Sequence, residues 1–282
     1  PTALLSTGQT ATSITLGWST GGATAWDIEY GPSGFTPGSG TLVSATANPY
    51  TVTGLSPSQT YCFYVRDNCG LGDTSDWVGP VCASTACGIV VAPFFENFDV
   101  SFDEGTGVQN VGSTISACWS RAPTTNHHWG GGAGGTGTFG TGPNGDHTSG
   151  NGNYVYAEAS QSTAGHVADL ESPSIDLTPL TVPELKFWYN MTGNNVGNLY
   201  VDIFNGTTWT NNVDSIIGNQ GNAWLERTID LSSYATNTIK VRYRAQLSTG
   251  GNTQSSDIAV DDMSIDEAPA CPDPTNLTAT VL

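Results

Sequence analysis

The sequence predicts an all-β protein made of two successive β-rich units, and three observations carry that reading. Apolar residues recur at every second position over short runs, and turn-forming text separates the runs. Charged residues are only 11% of the 282, while Gly numbers 35 and Pro 15. Helix-rich chains spend Glu, Lys, Arg, Ala and Leu on their solvent faces, so this composition suits strands and turns. The 8 Trp, 10 Tyr and 9 Phe supply the bulk that a core needs.

In the first unit, Ile14, Leu16 and Trp18 alternate with Ser13, Thr15 and Gly17, and Trp26, Ile28 and Tyr30 alternate with Asp27 and Glu29. Both patterns are half-buried antiparallel strands. Residues 31–40 (GPSGFTPGSG) form a turn region, followed by strands in 41–45, 50–55 and 60–67. In the last of these Tyr61, Phe63 and Val65 face one way and Cys62, Tyr64 and Arg66 the other. About seven such strands make a sandwich. From about residue 92 to 267 a second series begins with PFFENFD, passes CWSR and a Gly-saturated stretch from 129 to 154, and closes with ELKFWYNMTG, NLYVDIFNG, TTWTNN, AWLERTIDLSSY, NTIKVRYRAQ and SDIAVDDMSID.

Two family resemblances follow from these residues. Leu55, Pro57 and Tyr61 in GLSPSQTY resemble the tyrosine-corner segment of fibronectin type III domains, and Trp18 stands where such domains carry a core Trp. The text VRDNCGLGDTSDWVGPV is similar to fibronectin-type repeats of surface proteins from Bacteroidetes-like bacteria. In the second unit FFE, Cys118–Trp119, GPNGDHT, LESPSIDL, LKFWYNMTG, NLYVDIF, the Trp224 strand and DIAVDDMSI, in that order, resemble the MAM domain, a jelly-roll sandwich of extracellular receptors and adhesion proteins. The implied architecture is a fibronectin type III (Ig-like) sandwich over 1–86, a MAM-like jelly roll over 87–268, and a linker with the start of a further fibronectin-type repeat over 269–282. Pro274-Thr275-Asn276-Leu277 aligns with Pro1-Thr2-Ala3-Leu4, which reads as one period of an array.

The six cysteines alone allow 15 pairings. Cys62 and Cys82 fall on neighbouring strands, where an interstrand disulfide is natural. The MAM resemblance implies that Cys87 pairs with Cys118. The repeat alignment pairs Cys69 with a cysteine ahead of Pro1 and directs Cys271 forward to the next repeat. Oxidised cysteines place the segment outside the cell.

Charge excludes some partners. The chain carries 25 acidic and 7 basic residues, a net of -18, and only Arg66 among the first 120 residues is basic. Binding to nucleic acid phosphates requires clustered Lys and Arg, so no nucleic acid partner is expected. No run approaches the roughly 18 apolar residues of a membrane helix, so this segment is not expected to insert into a membrane. The first 86 residues hold five acids against Arg66, a net of -4, which leaves -14 for the rest.

Part of that acidity forms the best chemical candidate. Glu96, Asp146 and Asp262 are distant in sequence, but a jelly roll sets its first and last strands side by side, and converging carboxylates repel unless a hard cation joins them. The resemblance implies Ca2+ there, with Asp261, Asn97 and Asp99 as secondary ligands. No HExxH, GxSxG or phosphate-loop ending occurs, and His127, His128, His147 and His166 show no catalytic spacing. The Gly-rich stretch from 130 to 142 reads as a flexible surface loop. Trp129 and Trp209, beside Phe139, are candidate glycan contacts, although core packing or loop anchoring is the reading these residues favour. Ser215 in Asp214-Ser215-Ile216 is a candidate O-glycosylation site, and Asn190, Asn205 and Asn276 open N-glycosylation triplets.

The expected function is a non-catalytic, calcium-stabilised repeat segment of a large secreted cell-surface adhesin, used in attachment or gliding motility after type IX secretion. Its expected partners are neighbouring repeats of the same chain, surface glycans or other cell-surface proteins. The alternative is a carbohydrate-binding or accessory region of a secreted hydrolase.

Overall fold

The computed structural model describes residues 1–270 other than 107–109, 111, 124–126, 161 and 252. The repeat text at 274–277, Cys271 and Asn276 lie outside the described residues. The chain divides into two compact units, Pro1–Gly88 and Ile89–Leu282.

Unit 1 holds β1 (Thr2–Gln9), β2 (Ser13–Ser19), β3 (Trp26–Pro32), β4 (Thr41–Ala45), β5 (Tyr50–Thr53), β6 (Thr60–Gly70), β7 (Asp73–Thr74) and β8 (Val78–Ser84). They form a β1-β2-β5 sheet and a β4-β3-β6-β7 sheet with β8 on β6. The alternation seen in the sequence faces the two sheets together: Ile14, Leu16, Ile28, Phe63 and Val65 are fully buried, and Trp18 meets Trp26 edge to face at 5.3 Å. Cys62 and Cys82 are directly opposed on β6 and β8 and form a disulfide. The Tyr61 hydroxyl accepts the Ser56 N–H at 3.0 Å, which fixes the turn entering β6.

Unit 2 comprises β9 (Val90–Val91), β10 (Phe94–Glu96), β11 (Ser120–Ala122), β12 (His128–Ala133), β13 (Asn153–Glu158), β14 (Val167–Glu171), β15 (Ile175–Asp176), β16 (Pro183–Met191), β17 (Asn198–Phe204), β18 (Trp209–Ile217), β19 (Gly221–Asp230), β20 (Thr238–Gln246) and β21 (Ile258–Glu267). One sheet runs β12-β13-β21-β16-β19, with β10 also on β21; the other runs β11-β14-β20-β15-β9, with β17 on β20 and β18 on β17. Leu185, Phe187 and Met191 of β16 and Ile239, Val241, Tyr243 and Ala245 of β20 are buried in one common core. Burying each large apolar side chain contributes about 1.5–3 kcal/mol, so this face dominates the unit's stability. Cys87 and Cys118 are both disulfide-bonded.

The outward face of the second sheet is polar and organised by a buried ion cluster. Asp202 of β17 is fully buried, and Arg242 and Arg244 of β20 both reach its Oδ2 at 2.9 Å. Burial opposes ionisation of Asp202, yet hydrogen bonds from Arg244, the Asn212 N–H and Arg242 outweigh it and hold its carboxyl below the ordinary value. Arg242 also covers Trp209 at 4.2 Å and Arg244 covers Tyr200 at 4.4 Å.

The glycine-rich stretch is not a free surface loop. Its first part is strand β12, buried from His128 to Gly132. A side chain at Gly131 would collide with the backbone of Phe102, and one at Gly132 would sit 2.8 Å from the Tyr156 ring. Glycine is required because other segments pass directly over this strand. The remainder folds back across the sheet: the Gly142 N–H donates to the Thr192 carbonyl at 3.2 Å, and the Trp224 indole donates to the Gly145 carbonyl at 2.9 Å.

Two measurements test this packing. Phe187→Ala is expected to lower the stability of unit 2 by about 3–5 kcal/mol in denaturant unfolding. Asp202→Asn leaves two arginines without a buried counter-charge, at a cost of about 3 kcal/mol at pH 7. Because the folded pKa of Asp202 is depressed, its contribution is full above the unfolded carboxylate pKa and is lost as pH falls through the folded one. The variant's stability should therefore decline less steeply in acid than the parent's.

Candidate cation site

The candidate site is built around an irregularity in β21. Trp188 of β16 pairs with Asp261, but Lys186, two residues earlier, pairs with Ser264, three residues later, so β21 carries one extra residue. Asp262 is that residue, with φ of +44°. Such a β-bulge resets the two-residue period. Ile258 and Val260 face the core before it, and Met263 and Ile265 face the same core after it. Without the bulge Asp262 would take a core position and Met263 and Ile265 would turn outward. The spacing of Val260 and Met263, three rather than two, is the signal in the sequence that marks this site.

On the other edge of β21, β10 ends with Glu96 opposite Met263, and β13 pairs no further along than Val155 opposite Val260. The loop before β13 enters at this gap. The His147 N–H donates to Asp261 Oδ2 at 2.8 Å, while its Nδ1 lies 2.7 Å from Asp262 Oδ2, which also accepts the Thr148 hydroxyl at 2.5 Å. The His147 ring stacks on Trp188 at 3.7 Å and meets Trp224 edge-on. This histidine is therefore a clamp between loop and sheet.

Asp146 turns to its own loop, accepting the Ser149 N–H at 2.9 Å and the Gly152 N–H at 2.7 Å. Asp99, in the turn after β10, accepts the Asn153 N–H at 2.8 Å. Gly152 is held between these two acids: an added Cβ would lie 3.0 Å from Asp146 Oδ2 and collide with Asp99 Oδ1. Glu96 accepts the Phe98 N–H at 3.0 Å and the Trp119 indole N–H at 3.2 Å.

The electrostatics separate these acids. Asp261 is buried, and loss of hydration, with the Asp262 and Asp146 charges adding to it, pushes its pKa up to about 8 against the pull of the His147 and Asp262 N–H groups. Burial likewise raises Glu96. Asp146 moves the other way, because hydrogen bonds from Ser149 and Gly152 overcome its desolvation.

The expected trio is thus rearranged. Asp146 is committed to Ser149 and Gly152 of its own loop, Asp262 to His147 and Thr148, and Glu96 to Phe98 and Trp119, while Asp261, beside Asp262, is buried. Among the described residues no three His, Cys, Asp or Glu side chains converge as a metal cluster. The oxygens of Asp99, Asp146 and Asp261 with loop carbonyls are of the kind Ca2+ takes, so the donors fit by chemistry, with no ligand geometry assembled.

Other candidates are redistributed as well. Trp129 is fully buried and its indole donates to the Ala168 carbonyl at 3.0 Å, so it offers no face to a glycan. Trp209 is half-buried under Arg242, whereas Phe139 is fully exposed. Ser215 is exposed on β18, with the neighbouring Asp214 gripped by Arg227. Asn190 is buried, which removes its triplet from the surface. The ring nitrogens of buried His127 lie 3.1 Å from the Glu158 and Ala245 carbonyl oxygens, and His166 is exposed.

Two facing sheets, antiparallel except where β9 pairs parallel with β15, closed by the pairing of β10 with β21 and clamped at a bulge by an Asp-His-Thr loop, define unit 2 as a jelly-roll sandwich. The chain belongs to the MAM domain family (MAM domain, meprin/A5/mu), which it matches over residues 101–272. It is 36% identical over 132 residues to neuropilin-1 of Xenopus laevis, covering 44% of this chain and 13% of that protein. To neuropilin-1a of Danio rerio it is 29% identical over 232 residues, covering 78% of this chain and 23% of the relative. The chain therefore corresponds to a small part of these relatives. Among solved structures, the K1 cleaved adhesin domain of Lys-gingipain from Porphyromonas gingivalis W83 covers 63% of this chain and 99% of its own at 19% identity and a TM-score of 0.43. The FN5 domain of Drosophila Lar covers 31% of this chain and 96% of its own at 21% identity and a TM-score of 0.27. MAM domains are non-catalytic, adhesion-type domains of extracellular or cell-surface proteins.

The bulge yields its own test. Asp262→Asn keeps a residue that tolerates positive φ and is expected to stay within about 1 kcal/mol of the parent. Asp262→Val combines a β-branched side chain with that backbone and loses both clamp hydrogen bonds, and should cost about 3 kcal/mol in thermal or denaturant unfolding.

Proposed function

We propose that this chain is a non-catalytic segment of a large secreted cell-surface adhesin, in which a fibronectin type III-like unit and a MAM unit serve as stalk and adhesive element. The observation that carries this reading is the membership of unit 2 in an adhesion-type extracellular family. The oxidised Cys62, Cys82, Cys87 and Cys118 support an extracellular setting. The tyrosine corner of Tyr61 and Ser56 supports the fibronectin type III assignment of unit 1. Neighbouring repeats of the same chain are the first partners, with exposed Cys69 as a point of covalent attachment; surface glycans and other cell-surface proteins are the further ones. Use in gliding motility and export by type IX secretion belong to the same proposal and rest on the likeness of residues 65–81 to bacterial surface repeats.

Ca2+ is the proposed stabilising ion, held by Asp99, Asp146 and Asp261 with loop carbonyls. It would neutralise acids that otherwise repel across the gap between β10 and β13. A carbohydrate-binding reading is favoured by one observation: Phe139, fully exposed, borders a cavity of about 340 Å3 lined by Thr136, Thr141, Asn144 and Asn222. Aromatic faces beside hydroxyl and amide groups suit sugars.

Beads coated with the chain should adhere to cell surfaces in Ca2+, and adhesion equal to that of albumin-coated beads would refute the adhesin reading. A glycan array with Phe139→Ala as control separates the second reading. In thermal unfolding, Ca2+ should raise the midpoint of unit 2 by several degrees over chelator, and by much less in Asp261→Asn. An unchanged midpoint would refute the ion.

A further inference from the structure

The face of the β12-β13-β21-β16-β19 sheet that lies under the glycine-rich segment carries buried acids at two places along β21. Asp261 marks one. The other lies just ahead of β21: β13 and β21 pair antiparallel as far as Ala157 opposite Ile258, and continuing that register by one residue sets Glu158, at the end of β13, towards Asp257, the residue before β21. Opposed residues point to the same face with Cβ atoms about 5 Å apart. Glu158 and Asp257 are both fully buried. Among the described residues neither has an ion pair with Lys or Arg, whereas Asp202, equally buried, has two arginines. Two ionised carboxylates cannot share a dry site without a counter-charge.

Their hydrogen bonds leave room for one. Asp257 Oδ1 accepts the Ala159 N–H at 3.0 Å, but its Oδ2 is buried with no partner. Glu158 Oε1 accepts the Ser160 N–H at 2.6 Å, and its Oε2 lies 3.5 Å from the Tyr156 hydroxyl. The glycine-rich segment closes over the pair with hydroxyls. The Thr136 hydroxyl donates to the Thr141 carbonyl at 2.9 Å, Thr138 bonds Ser160 at 2.8 Å, and the Thr141 hydroxyl accepts the Asp257 N–H at 3.0 Å. His128 stands across from Glu158 on the β12 side. The three threonines also line the cavity beside Phe139, which supplies a route from solvent.

We propose that Glu158 and Asp257 form a second cation site, one that takes Ca2+ and is completed by threonine hydroxyls of the glycine-rich segment. Hard oxygen donors, two carboxylates and an unpartnered buried oxygen are what such an ion requires. The site is separate from the one at Asp261, because four residues of strand set them about 13 Å apart. An ion here would pin the glycine-rich segment to the sheet.

The test is a Ca2+ titration by calorimetry on the whole chain, with Tb3+ luminescence excited through tyrosine as a second readout, since Tyr156 adjoins Glu158. The parent should bind one more equivalent of Ca2+ than Glu158→Gln/Asp257→Asn, and the Tyr-sensitised Tb3+ signal, displaceable by Ca2+, should be lost in that variant. Asp257→Asn alone, nearly isosteric, should weaken binding at this site by at least about tenfold while retaining the parent's circular dichroism. Asp261→Asn should keep the Tyr-sensitised signal, which separates this site from the first. Equal numbers of bound ions in parent and double variant would overturn the proposal and leave a shared proton between the two carboxyls. A parent chain giving no tyrosine-sensitised Tb3+ signal would overturn it too, whatever the variants do.

Discussion

Strand β21 is the constraint on which unit 2 depends, because it is paired along both edges and must change phase midway. Its outer edge accepts β13 at Val155–Ala157 and β10 at Phe94–Glu96, and its other edge accepts β16. A strictly alternating strand would satisfy one of these partners and turn the other's apolar side chains to solvent. The extra residue at Asp262 lets Ile258, Val260, Met263 and Ile265 all reach the core. The same kink opens the gap through which the Asp146–Thr148 loop enters. Core packing and the polar clamp are therefore two results of one backbone adjustment.

The acidity of the chain is partitioned by its surroundings. Asp202 is buried with arginines and remains ionised, a charged tie between β17 and β20. Asp146 is stabilised by N–H groups of its own loop. Asp261, Glu158 and Asp257 each accept a backbone N–H, from His147, Ser160 and Ala159 respectively, have no arginine partner among the described residues, and lie on one face beneath the glycine-rich segment. Positive charge comes from few side chains in this protein, seven Lys and Arg in all. Glycine makes the arrangement sterically feasible, since a side chain at residue 130, 131, 132 or 152 would occupy space already taken by a neighbouring segment.

Much of the fold was legible in the sequence because strand period and strand burial are local properties. The alternations at Ile14–Trp18, at Leu185–Tyr189 and at Ile239–Tyr243 each became a strand facing a core, and Cys62 and Cys82 fell in register. What could not be read locally was which face of a segment is covered by something distant. Trp129, weighed between a glycan contact and core packing, is a core residue of β12. The glycine run looked mobile and is a strand followed by a packed cover. Asp262 was read as the main ligand and Asp261 as a secondary one, and only the bulge shows that Asp261 is the more deeply buried of the two. The odd spacing from Val260 to Met263 held that information, but it has meaning only once both partners of β21 are known.

The pairing of Phe94 with Ile265 joins nearly the first strand of unit 2 to its last. Contacts of such long sequence separation form slowly, since a large loop must close before they contribute. As the chain is synthesised or threaded from its N-terminus, unit 1 has all its strands once Ser84 has emerged, whereas unit 2 cannot close its sandwich until β21 is available. Through that interval the apolar faces of β16 and β17 lack their final partners and are open to wrong association. A segment built this way therefore depends on the late arrival of its closing strand.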